Sequence, residues 1–96
     1  MKRDAIAIKE GDNVATALRD LGAGETVSVG IGDHVVPVTM AGAVEFAHKL
    51  ALADLPAGQD ILKYGEVIGR ATVDIPKGAH VHVHNIESLR GRGDLA

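Results

Sequence analysis

A small, mostly β fold is predicted, and three features of the sequence predict it. Short Val- and Ile-rich runs are separated by 12 glycines and 3 prolines, the punctuation expected between strands. One turn-like motif occurs three times. The stretch His80-Val81-His82-Val83-His84-Asn85 alternates polar and apolar residues with the period of a strand. At 96 residues the chain is one domain, 1–96, with a linker-like tail from about 88.

The motif reads A-x-x-D-L/I-x-x-G-x-x-V/I. Its copies begin at Ala17, Ala51 and Ala71, with Asp20, Asp54 and Asp74 at the fourth position and Gly24, Gly58 and Gly78 at the eighth. Spacings of 34 and 20 residues exclude a regular solenoid. Each copy reads as a strand running into a turn. The Asp can accept backbone N–H groups, the Gly allows positive φ, and a new apolar run follows. Pro56 and Pro76 pre-set φ in two copies. Taken alone, residues 12–22 resemble a capped helix, but their likeness to the β-branched third copy makes strand and turn the better reading.

The remaining elements follow in order. Strands are expected near Ala5–Ile8, Thr26–Ile31, His34–Met40, Ile61–Tyr64, Val67–Gly69 and from His80 onward. Pro37 marks an edge strand or a bulge. Hairpin turns are expected around Gly32 and around Tyr64-Gly65. One short helix is expected over Ala41–Leu50, where Val44, His48 and Leu52 recur at helical spacing.

Composition narrows function by exclusion. Phe46 and Tyr64 are the only aromatics, so the core is aliphatic and base-stacking recognition lacks its platforms. A net charge of −3 disfavours phosphate-backbone binding, so nucleic acid is not an expected partner. The absence of Cys excludes thiolate catalysis and Cys-ligated metals. No leader or membrane-length apolar run is visible, so a cytoplasmic protein without membrane contact is expected.

Five histidines stand out. In a strand, His80, His82 and His84 would share one face, with Val81 and Val83 turned inward. Imidazoles about 6–7 Å apart along a strand can chelate one divalent cation. The bland alternative is a polar strand face. His48-Lys49 and His34 are more simply structural. Lys63 and Tyr64 could hold an anionic group and donate a proton; a snorkelling lysine beside a half-buried tyrosine is the plainer reading. In the tail, Arg90 and Arg92 could bind an anion, and the Arg92-Gly93-Asp94 triplet carries no weight by itself.

Three ordered segments resemble a known family: His48-Lys49-Leu50-Ala51-Leu52, Lys63-Tyr64-Gly65-Glu66-Val67-Ile68-Gly69, and Gly78-Ala79-His80-Val81-His82-Val83-His84-Asn85. The set is similar to the N-terminal SAF domain of altronate/galactarate dehydratases, and Asp12–Leu18 resembles the family's opening. Some members have Gly before the His-Lys pair, where this chain has Ala47. The resemblance implies a SAF-type β-clip fold. It implies a small subunit or N-terminal domain of a sugar-acid dehydratase, completing the active site of a large catalytic subunit for β-elimination of water. It also implies a divalent metal, Fe(II) or Mn(II), held by His80, His82 and His84, with Lys63, Tyr64 and His48 as catalytic groups and a sugar acid as substrate. The isolated chain is expected to be inactive, and a homo-oligomer is compatible with the resemblance. Two alternatives stand beside this reading: the small subunit of a sulfolactate sulfo-lyase, and a non-catalytic SAF carbohydrate-binding module.

Overall fold

The computed structural model describes residues 2–88. Nine strands are found among them and no helix: β1 (Ala5–Ala7), β2 (Val14–Ala17), β3 (Thr26–Ile31), β4 (His34–Thr39), β5 (Lys49–Ala51), β6 (Asp60–Lys63), β7 (Glu66–Ala71), β8 (His80–Val81) and β9 (Ile86–Ser88). They form a six-stranded sheet in the order β4-β3-β1-β2-β5-β8 and a three-stranded sheet in the order β6-β7-β9. Every pairing is antiparallel except β1 with β3. Pro37 lies on β4, at the edge of the larger sheet, where a missing N–H is tolerated. Gly32, with φ 59°, opens the two-residue β3–β4 loop. The tail reading beyond Ser88, with Arg90, Arg92 and Asp94, lies outside the described residues.

The three motif copies fold alike. The first-position alanines Ala17, Ala51 and Ala71 each end a strand and are buried. Leu21, Leu55 and Ile75 are buried at isolated bridges, and the glycines take φ of 81°, 91° and 85°. Residues 12–22 are accordingly strand and turn.

The expected helix over Ala41–Leu50 is not formed. This segment is a fourth, disguised copy of the turn, with Met40 at the first position, Ala43 at the Asp position, Val44 at the bridge, Ala47 at the Gly position and Leu50 at the end. Ala47 adopts φ 72°, the left-handed conformation that its glycine counterparts adopt freely. The apparent helical spacing of Val44 and His48 came from a turn whose two diagnostic residues had been replaced.

The four turns associate as two pairs. Leu21 and Val44 exchange N–H···O bonds of 2.8 and 2.9 Å, and Leu55 and Ile75 exchange bonds of 2.7 and 2.8 Å. The N–H at each eighth position then donates to the carbonyl at the partner's first position: Gly24 to Met40, Ala47 to Ala17, Gly58 to Ala71 and Gly78 to Ala51. The aspartates cap the opposite turn rather than their own. Asp54 accepts from Lys77 N–H and Asp74 from Ala57 N–H, both at 2.9 Å, while Asp20 accepts from Phe46 N–H at 2.8 Å.

Each pair has its own aliphatic core. One surrounds Leu21, Val27, Val38, Met40, Val44 and Leu50; the other surrounds Val14, Leu55, Ile61, Ile75 and Val81. Both aromatic residues are exposed. The β5–β8 pairing joins the two halves, and the site described next lies on this seam.

Candidate metal centre and adjoining cleft

His48 follows Ala47 and enters β5, and His80 lies on β8 opposite Leu50. One turn from each pair therefore delivers an imidazole to the seam. His48 Nδ1 and His80 Nε2 are 2.9 Å apart. The His82 ring stacks on His48 with centroids 4.5 Å apart and on His80 at 5.2 Å. One nitrogen of each of the three rings falls within 4.8 Å of the others. Two ligand nitrogens about 2.1 Å from one ion and at right angles across it would be about 3.0 Å apart, so the His48–His80 separation matches two ligands of one divalent cation.

The strand expected through His84 stops at Val81. Val81 is buried, but Val83 is 78 % exposed, so its predicted inward orientation does not occur. The cause is Asn85, a buried side chain that takes over the local backbone groups. Its Oδ1 accepts from His82 N–H at 2.9 Å and its Nδ2 donates to the His80 carbonyl at 2.7 Å. The chain reverses there, reinforced by Asn85 and Ile86 N–H donating to the His82 carbonyl. His82 folds back onto the group, whereas His84 sits in the turn with its ring tilted 43° and 5.2 Å from His80, outside the close donor set.

Burial, and then the charge of neighbouring imidazoles, holds His80 and His82 below the ordinary histidine value. Both are therefore neutral near pH 7, the form that ligates metals.

His82 also lines a cleft of about 430 Å³, together with Lys49, Lys63, Tyr64 and the apolar Ile68, Val83 and Ile86. Lys63 and Tyr64 are thus brought beside the histidines. Lys63 Nζ lies 4.8 Å from the Tyr64 ring centroid, a cation–π contact. Their placement depends on a tight two-residue hairpin, with Tyr64 at φ 56° and Gly65 at φ 75°. Tyr64 is not a comfortable residue there, and Asp12 compensates. Its buried carboxylate accepts from Tyr64 N–H, Gly65 N–H and Lys9 N–H at 2.8–3.1 Å. Asn13 braces the strand before the turn, accepting from Leu62 N–H and donating to the Asp60 carbonyl.

Lys49 was missed as a site residue by sequence reasoning. It is half-buried, and burial followed by the nearby Lys63 charge lowers its pKa. Only its place beside His48 hinted at this. His34 is elsewhere, exposed and paired with Glu10 at 2.7 Å.

The residues of this site lie within the stretch that a family model covers. Residues 3–89 match the altronate/galactarate dehydratase SAF domain. The chain belongs to this family. Among individual proteins, the SAF chain is 48 % identical over 80 residues to an altronate dehydratase of Escherichia coli K12, a match covering 83 % of this chain and 15 % of that protein. It is 38 % identical over 58 residues to the (2R)-sulfolactate sulfo-lyase subunit alpha of Chromohalobacter salexigens, covering 60 % of this chain and 62 % of that one. It is 36 % identical over 76 residues to the L-threo-forming galactarate dehydratase of E. coli K12, covering 79 % of this chain and 14 % of that enzyme. The SAF chain thus spans about a sixth of the altronate dehydratases it matches. Among the described residues, no helix is long and apolar enough to cross a membrane.

Proposed function

We propose that this SAF domain completes the active site of a larger catalytic chain in a metal-dependent, altronate-type sugar-acid dehydratase working in the cytoplasm. The observation that carries the proposal is the shared wall. His82 belongs both to the three-imidazole group and to the cleft holding Lys63 and Tyr64, so a metal and an anionic substrate would meet there.

The reaction is β-elimination. A base removes the proton α to the carboxylate, the C–H electron pair forms the double bond, and the β-hydroxyl leaves with a proton as water. When bound, Fe(II) or Mn(II) would offset the negative charge that builds on the carboxylate. The chain's own residues provide the setting. His48, His80 and His82 present their ring nitrogens, with Asn85 holding the turn that aims His82. The geometry favours His48 over His84 as the third donor. Lys63 attracts the substrate anion, and the Tyr64 hydroxyl hydrogen-bonds it or returns a proton.

A second reading has support of its own. The sulfo-lyase subunit is matched over most of its length, whereas the dehydratases are matched over a small fraction. In that reading sulfite leaves instead of water. A purely carbohydrate-binding role would leave the clustered imidazoles without a purpose.

Reconstitution with a large catalytic chain of the family tests the proposal. Steady-state rates are measured across Fe(II) and Mn(II) titrations. His48→Ala or His82→Ala should lower activity roughly 10–100-fold, with the domain still folded by circular dichroism. The domain alone should give no turnover. Wild-type rates in both variants at every metal concentration would show that the imidazoles are only a polar surface.

A further inference from the structure

We infer that the cleft beside the histidine group is an oxoanion subsite, in which Lys49, Lys63 and the Tyr64 hydroxyl hold a carboxylate or sulfonate without a metal ion. This deepens the lyase reading and rests on it for the ligand being the substrate, but not for the binding itself.

Lys49 comes from β5 in the six-stranded sheet and Lys63 from β6 in the three-stranded sheet, so two separate elements bring their ammonium groups to one concavity. Both lysines are half-buried, and charges drawn partly out of water are usually paired. Here the ion pairs found among the described residues belong to Arg19, His34 and Arg70, and neither lysine has one. Among the described residues, those lining the cleft include no carboxylate.

Two like charges facing one cleft disfavour each other. An anion between them removes this repulsion. Ile68 and Ile86 supply apolar walls beside the ammonium groups. Each ammonium offers three rotatable N–H donors, so either a planar carboxylate or a tetrahedral sulfonate can be satisfied.

The test is an NMR titration of backbone amides in the 96-residue chain, with chelator present and at low ionic strength. Acetate and methanesulfonate are the probes, and chloride at matched ionic strength is the control. The expected result is saturable shifts centred on Lys49, Lys63 and Tyr64, with Lys49→Gln or Lys63→Gln weakening binding about tenfold. Tighter methanesulfonate binding supports the subsite and a sulfo-acid; acetate binding as tight or tighter supports it and a carboxylic acid. Shifts that chloride reproduces, shifts that never saturate, or unchanged affinity in the Lys49→Gln/Lys63→Gln double variant would overturn the subsite. The sample contains neither metal nor partner chain, so failure here leaves the lyase reading standing. Intact anion binding with an inactive reconstituted enzyme sinks the lyase reading alone.

Discussion

In the turn pair made by residues 17–27 and 40–50, one aspartate is replaced by Ala43 and one glycine by Ala47; in the pair made by residues 51–61 and 71–81, neither replacement occurs. Both pairs nevertheless keep the same exchange of backbone hydrogen bonds. The backbone ladder and the buried residues at the bridge therefore suffice to form the turn, while Asp and Gly adjust its stability. The weaker turn is also the one that presents His48. Strain at Ala47, φ 72°, is adjacent to the candidate metal donor, and the other non-glycine residue described with positive φ, Tyr64, lines the adjoining cleft.

The largest effect is expected where the intact pair abuts the other half. Gly78 has φ 85°, and a Cβ added there would collide with the Thr39 carbonyl and press on Ala41 N. Gly78→Ala should cost about 2–4 kcal/mol. Gly58→Ala, at φ 91° with open space around it, should cost only about 1 kcal/mol. Urea unfolding of both variants checks the difference, and equal losses would mean that conformational strain alone matters at both sites.

The seam between the pairs should be sensitive to pH. His80 and His82 lie below the ordinary value of 6.5 because of burial and neighbouring imidazoles, with Glu45 opposing weakly. The unfolded chain therefore binds more protons than the folded one as pH drops. Their contribution is fully present above pH 6.5 and is lost as pH falls through the lower folded values. Stability should decline as pH falls below 6.5. A His80→Asn/His82→Asn variant should flatten this decline in urea midpoints.

The smallest effect would restore the likeness of the pairs. Ala47→Gly relieves the left-handed strain and should stabilise by about 1 kcal/mol. Ala43→Asp should add about 0.5 kcal/mol by capping the Ala23 N–H, the counterpart of Phe46 N–H. Together these raise the melting temperature by roughly 5–10 °C. No gain from Ala47→Gly would show that the turn tolerates alanine without cost.

The recurring motif made three of the four turns legible from the chain alone, because their Asp and Gly do a local job that leaves a local trace. The fourth kept only its buried residues, and its Val44 recurs with His48 and Leu52 at a spacing that fits a helix. Its backbone was decided by the Leu21–Val44 bridge, a contact between distant segments. The site divides in the same way. The His80–Asn85 stretch and the Lys63-Tyr64 pair marked themselves by residue type, and the Tyr64-Gly65 turn by its composition. Sequence alone determined an aliphatic, Cys-free, mostly β chain with too few aromatics for stacking, since composition and period-2 alternation depend on neighbours along the chain. Tertiary structure decided that Asn85 would end the strand at Val81, that His48 rather than His84 would join His80 and His82, and that Lys49 would face Lys63 across one cleft. These depend on which segments pair across the seam, and such pairing is set by the joint burial of two cores rather than by any single stretch of residues.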